Sequence, residues 1–157
     1  WFLAKSERIL KECESLVLDQ DIYNSEWLPR AAAMGSHEAM RAYALSPENA
    51  IGSPGDADGD PANLDQWKDT AVGYLQELAA QGNATALGDL ATAYTYGGIV
   101  DADPVLALAY TRALNRIDTR FAKATDIADQ ELTLSSEDRI KAQLLSNEIF
   151  KNCCIPQ

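Results

Sequence analysis

The sequence predicts an all-α fold made of paired helices, and three observations support this prediction. Apolar residues recur at steps of three and four along most of the chain, which is the spacing of one face of an α-helix. No convincing run alternates apolar and polar residues with a period of two, as a half-buried strand would. Two segments rich in Ala and Gly, Gly35–Met40 and Gly82–Leu87, read alike and indicate an internal repeat.

The N-terminal third of the chain predicts two helices and a loop. An amphipathic first helix lies within residues 1–20. A second, continuous helix ends at Ser46-Pro47, because proline disfavours helical backbone in the residue before it. One face of this second helix carries Leu28, Ala31, Ala32, Gly35, Ala39 and Tyr43. Residues Asn49–Asn63 are rich in Gly, Pro and Asp, and we expect them to form an exposed loop.

Local signals set the ends of the remaining helices. Gly82-Asn83 ends the third helix, because a left-handed residue costs Gly or Asn little. Gly97-Gly98 stops the fourth, and Asp103-Pro104 starts the fifth with an N-cap and a proline at the first helical position. A sixth helix is predicted from about Thr119 to Leu132. Ser135 or Ser136 then caps the last.

Length and charge restrict the possible functions. The 157 residues suit a single domain, 1–157. The chain has 13 Lys and Arg against 24 Asp and Glu, so its formal charge is 13 − 24 = −11. This balance argues against nucleic acid and anionic membranes as partners, since both require clustered basic residues. No stretch approaches the roughly 18 uninterrupted apolar residues of a membrane-spanning helix, so we expect no membrane insertion.

The three cysteines lie at the two ends of the chain, at Cys13, Cys153 and Cys154. Adjacent cysteines rarely bond each other, so the sequence favours a disulfide between Cys13 and one of the C-terminal pair, without deciding which. This interpretation, and a chain that begins with Trp1 rather than Met, favour a periplasmic or secreted protein. The alternative is three free thiols in a cytoplasmic protein. No spacing typical of a zinc site occurs.

One segment resembles a known family. Residues 82–101, continuing through Ala107-Leu-Ala-Tyr110, resemble a Sel1-like repeat, a relative of the tetratricopeptide repeat. Ala71-Val-Gly-Tyr74 matches Ala107–Tyr110 at an offset of 36 residues, so residues 28–80 resemble a second, degenerate unit. This unit departs from the pattern at Pro47, where the counterpart of Tyr94 is expected, and in its longer loop. Residues 1–20 and 119–152 then act as capping helices at both ends of a short α/α solenoid.

The resemblance implies a non-catalytic scaffold that binds a protein or peptide, without cofactor or metal. The acidic surface favours a basic partner, or serves solubility only. We expect binding through residues exposed on the first helix of each pair: Met40, Tyr43, Asp89, Thr92 and Tyr96. Tyr74 and Tyr110 occupy equivalent positions, which favours a role in the core. Met34 and Met40 are also most simply explained as core residues.

Other functions have weaker support. Asp56, Asp58 and Asp60 have the spacing of a calcium loop, but Pro61 replaces its glycine and Trp67 its closing glutamate. We favour a solvated loop in which Asp60 caps the next helix. His37, the one histidine, lacks the serine motif of a hydrolase, so a structural role is favoured. A structural envelope subunit remains an alternative to the binding scaffold.

Overall fold

The computed structural model describes residues 27–47 and 61–154. The predicted first helix, Cys13 and the Asp56–Asp60 loop lie outside these residues. The described residues contain helices and no strand, which confirms the all-α prediction. The helices are α1 (Trp27–Ala33), α2 (His37–Leu45), α3 (Pro61–Ala80), α4 (Ala84–Tyr96), α5 (Pro104–Ile117), α6 (Ala124–Leu132) and α7 (Ser136–Cys154).

The helices pack mainly on their neighbours in the chain. Each of α1 to α5 contacts the next helix, and α7 packs against α5 and, less extensively, against α3. The order makes α2–α3 and α4–α5 successive helix pairs, and α5 is followed by α6 and α7, which both pack on it. We call the side lined by α2, α4 and α6 the first-helix face. Packing of each unit on the next is the architecture of a helical-repeat solenoid.

The same turn precedes α2 and α4. Gly35 and Gly82 have φ angles of +86° and +81°. The Ser36 and Asn83 amides donate to carbonyls five residues earlier, Ala31 and Leu78, so both helix ends are Schellman motifs. Ser36 and Asn83 then serve as N-caps of the following helices. The prediction of one continuous helix across Gly35 is therefore wrong, because the left-handed glycine divides it into α1 and α2.

Most of the other predicted helix ends are confirmed. Asp103 caps α5 through bonds of 2.9 and 3.0 Å from the amides of Val105 and Leu106. Gly97 ends α4, and the Ser135 hydroxyl accepts from the amide of Asp138 at the start of α7.

The predicted start of the sixth helix at Thr119 is wrong, because residues 118–123 form a turn and α6 begins at Ala124. Asp118 holds this turn by accepting from the amide of Arg120 at 2.9 Å. The Asn115 side chain also donates to the carbonyl of Ala122, at 2.6 Å.

Small residues lie at the helix crossings, and tyrosines fill the space beside them. Ala71 and Ala107, equivalent in the two units, are both buried. Tyr110 stacks on Tyr94 with 5.6 Å between ring centroids. In the degenerate unit Tyr74 instead meets Tyr43 edge to face at 5.5 Å, so Tyr43 takes the place expected of residue 47, one helical turn earlier.

Two sequence expectations need correction. Met34 is exposed, because it lies in the turn after α1, whereas Met40 belongs to the core. Cys153 and Cys154 are bonded to each other at the end of α7, against the expectation that adjacent cysteines do not pair. This bond uses both C-terminal thiols and is therefore an alternative to the predicted disulfide with Cys13, which lies outside the described residues.

Candidate functional site

The outward ridge of α4 is the centre of the first-helix face. Asp89, Thr92 and Tyr96 are spaced i, i+3 and i+7, which places them on one side of the helix. All three line a groove on each side of α4. Tyr96 is 82% exposed, the largest exposure of any aromatic residue in the described parts of the chain. We call these three residues the α4 ridge.

The first groove lies between α4 and α6, with α5 behind it, and we call it the polar groove. Its volume is about 380 Å³. Small residues of α4, Gly88 and Ala91, leave the space open, and Leu114 of α5 lines it from behind. The remaining lining residues are mostly polar or aromatic: Ala84, Thr85, Asp89, Thr92, Thr95, Tyr96, Thr111, Phe121, Ala122, Asp126 and Gln130.

Gln130 brings a buried polar atom to this groove. Its Nε2 donates to the Thr111 hydroxyl at 3.3 Å, and that hydroxyl donates to the carbonyl of Ala107 at 2.8 Å. The Gln130 Oε1 is buried and receives no hydrogen bond from the described residues. A buried acceptor without a donor is energetically unfavourable, so this atom calls for an explanation.

The second groove lies between α2 and α4 over the start of α3, and we call it the apolar groove. Its volume is about 440 Å³. Leu45 and Leu64 are partly exposed along it, and Trp67 is buried beneath. The indole N–H of Trp67 donates to the carbonyl of Tyr43 at 3.0 Å, which fixes the orientation of the ring. The apolar groove therefore offers hydrophobic contact area beside the α4 ridge.

An ion pair connects the first helices of the two units. The guanidinium of Arg41 on α2 donates to both carboxylate oxygens of Asp89 on α4, at 2.6 and 3.2 Å. The hydrogen bond to Asp89 raises the pKa of Arg41 above its ordinary value. Bidentate Arg–carboxylate pairs restrict geometry as well as adding attraction. The pair thus holds α2 and α4 at a defined separation on the face that bears the grooves.

The structure separates the five predicted binding residues into two groups. It brings Asp89, Thr92 and Tyr96 together on the α4 ridge. Met40 is 2% exposed and packed in the core, so its predicted exposure is wrong: the helical period turns position 40 inward, beside Ala39. Tyr43 is half-buried against Tyr74, and burial raises the pKa of its hydroxyl.

The weaker candidates have no further support from the geometry. His37 is exposed in the first turn of α2. The described residues contain no cluster of three His, Cys, Asp or Glu side chains placed to hold a metal ion. Among the helices described, none combines the length and apolar character required to span a membrane.

Three residues of the grooves were missed by the sequence analysis. Phe121 was assigned to a helix, but it lies in the turn before α6 and is 59% exposed. Gln130 has no sequence signal, since a lone glutamine on a short helix is usually solvated. Leu45 could have been found from the repeat, because it stands 47 positions before Thr92, the offset that relates Gly35 to Gly82.

The paired helices and their repeated turns define the molecule as a helical-repeat protein. A similar solved structure is that of c5321, described as a protective antigen present in uropathogenic Escherichia coli strains and as displaying an SLR fold. The two structures superpose with a TM-score of 0.62 and 22% sequence identity, over 81% of this chain and 25% of that one.

This likeness confirms the Sel1-like repeat fold inferred from the sequence. The chain spans about a quarter of the length of this neighbour. No family model matches the chain, and the search of curated proteins found no match.

Proposed function

We propose that this protein is a non-catalytic scaffold that binds a protein or peptide partner across the α4 ridge. The exposed ring of Tyr96, standing between two grooves, is the observation that carries the proposal. Large exposed aromatic side chains at the edge of pockets are enriched among residues that dominate binding energy. They also lose little conformational entropy on binding, since two torsions define them.

The surroundings of Tyr96 support the same proposal. The apolar groove offers hydrophobic area and the polar groove offers hydrogen-bond acceptors, a combination typical of binding surfaces. The bonds of Arg41 to Asp89 hold the ridge in place before a partner arrives. Pre-organisation of this kind lowers the entropy cost of association.

Site-specific photo-crosslinking in the native host tests the proposal. A photoreactive amino acid at position 96 is expected to capture a defined partner. The same group at Lys141, exposed on α7 away from both grooves, is expected to capture none. Both positions are exposed and only position 96 lies beside the grooves, so equal crosslinking patterns contradict a specific site.

Affinity for the captured partner, once purified, gives the second measurement. Tyr96→Ser is expected to weaken binding by about tenfold or more, as truncation of an interface anchor costs at least about 1–2 kcal/mol. Leu144→Ser removes another largely exposed apolar side chain, on α7, and serves as the matched control. Equal affinity of the two variants contradicts the proposed role of Tyr96.

We further propose that the scaffold works outside the cytoplasm. The disulfide between Cys153 and Cys154 supports this location, because disulfides persist mainly in oxidising compartments. The pairing state of the thiols in protein isolated from its host tests the proposal.

A further inference from the structure

The polar groove presents hydrogen-bond acceptors rather than donors. The Thr92 and Thr95 hydroxyls donate to carbonyls of their own helix, at 2.9 and 2.7 Å, so they turn only lone pairs outward. Asp126 adds a carboxylate, and so does Asp89, whose two oxygens already accept from the guanidinium of Arg41. Among the described residues that line the groove, none is Lys, Arg or His. A ligand that fits this chemistry brings donors and positive charge.

The acceptors are only partly satisfied by the protein. Oδ2 of Asp126 accepts from the amide of Lys123 at 3.1 Å, and Oδ1 accepts from the Thr125 hydroxyl at 3.4 Å. A carboxylate has room for about four hydrogen bonds, so acceptor capacity remains on Asp126. The Oε1 of Gln130 has no donor among the described residues, but its burial closes it to a ligand in the groove.

Two aromatic rings complete the site. Phe121 and Tyr96 both line the polar groove, and both are more than half exposed. A cation close to the face of an aromatic ring is attracted by the ring quadrupole, and a guanidinium also stacks on it. A carboxylate, hydroxyl oxygens and aromatic rings together suit an arginine side chain.

We propose that the polar groove binds one arginine side chain of the partner, with Asp126 as its charged acceptor, the Thr92 and Thr95 hydroxyls as neutral acceptors, and Phe121 and Tyr96 beside it. The planar guanidinium suits this set better than an ammonium, since its five N–H donors reach several acceptors while its faces contact the rings. The inference rests on the proposed function, because it names the chemistry that the α4 ridge recognises.

A blocked tripeptide, acetyl-Ala-Arg-Ala-amide, is the probe for this site. Titration into ¹⁵N-labelled protein is expected to shift the side-chain amide of Gln130 and the backbone amide of Phe121 saturably. The citrulline analogue has nearly the same shape without the charge, and it is expected to bind about tenfold more weakly. The lysine analogue is expected to fall between the two. Equal affinity for the arginine and citrulline peptides overturns the proposal.

Two neighbouring carboxylates on α6 provide a matched pair of variants. Asp126→Asn is expected to weaken binding of the arginine probe about tenfold, because it removes the charge from the groove. Asn retains an oxygen for the amide of Lys123, which preserves the cap. Asp129→Asn removes the same charge from an exposed position outside the groove, and we expect almost no effect. Equal losses in both variants indicate general attraction to an acidic protein and contradict the site.

This inference and the proposed function fail in different ways. Crosslinking at position 96 without probe binding leaves the scaffold proposal intact and removes the arginine site. Probe binding without a captured partner leaves the arginine site intact and contradicts the scaffold proposal.

Discussion

Replacing the two left-handed glycines by alanine tests how closely the helix pairs approach each other. Gly35 and Gly82 have nearly equal φ angles and the same Schellman hydrogen bonds. Their surroundings differ: a Cβ on Gly35 meets nothing within 4 Å, whereas a Cβ on Gly82 lies 3.2 Å from the carbonyl oxygen of Cys153 at the end of α7. The two substitutions therefore share the backbone cost and differ in one steric contact.

The expected magnitudes follow from these two terms. An L-residue in the left-handed region costs about 1–2 kcal/mol, and Gly35→Ala is expected to destabilise by about 1 kcal/mol after the gain from a less flexible unfolded chain. Gly82→Ala carries the same cost plus overpacking against backbone, typically about 1–3 kcal/mol. We therefore expect it to destabilise by about 1–2 kcal/mol more than Gly35→Ala.

Urea unfolding at 25 °C, followed by far-ultraviolet circular dichroism and the fluorescence of buried Trp67, measures both free energies of unfolding. Gly73→Ala is the positive control. Gly73 lies inside α3 with no atom near its Cβ position, so the substitution is expected to stabilise by about 0.5–1 kcal/mol. Equal free energies for Gly35→Ala and Gly82→Ala refute the close approach of α7. A neutral Gly35→Ala refutes the backbone argument.

Two further measurements concern acid titration and the cysteines. Hydrogen bonds from the Arg120 side chain and amide lower the pKa of Asp118 to about 2 from its ordinary 3.8, so the stability that this carboxylate contributes is present above pH 3.8 and lost as the pH falls towards 2. Arg120→Gln is expected to raise the Asp118 midpoint in an NMR titration, and an unchanged midpoint contradicts this cause. Peptide mapping without reduction is expected to recover Cys153 and Cys154 bonded within one C-terminal peptide. A peptide that joins Cys13 to either of them supports the pairing inferred from the sequence instead.

The alignment of the two units also predicts the helix end at Gly35-Ser36. Gly35-Ser36 aligns with Gly82-Asn83, and only the second pair was interpreted as a helix end. The apolar face across Gly35 suggested a continuous helix, but a left-handed glycine followed by an N-cap residue ended it. Where two segments align, a helix end assigned in one therefore predicts a helix end in the other.

In the degenerate unit, the aligned position does not identify the residue that packs on Tyr74. Position 47 is proline, so the partner of Tyr74 could not be read from the aligned position. Tyr43 takes this role from one helical turn earlier, because a 3.6-residue period returns a side chain to the same face after four residues. Tyr43, predicted to be exposed for binding, therefore packs against Tyr74 of α3.

The sequence alone was sufficient for the features that depend on nearby residues. The all-α class and the cap at Asp103 follow from periodicity and local hydrogen bonding, and the helical period alone places Asp89, Thr92 and Tyr96 on one side of α4. The polar groove required the tertiary structure, because Gln130 and Phe121 reach the α4 ridge only through the turn at residues 118–123 and the packing of α6 on α5. Contacts between residues far apart in the chain depend on how whole helices are oriented, and no local pattern records that orientation.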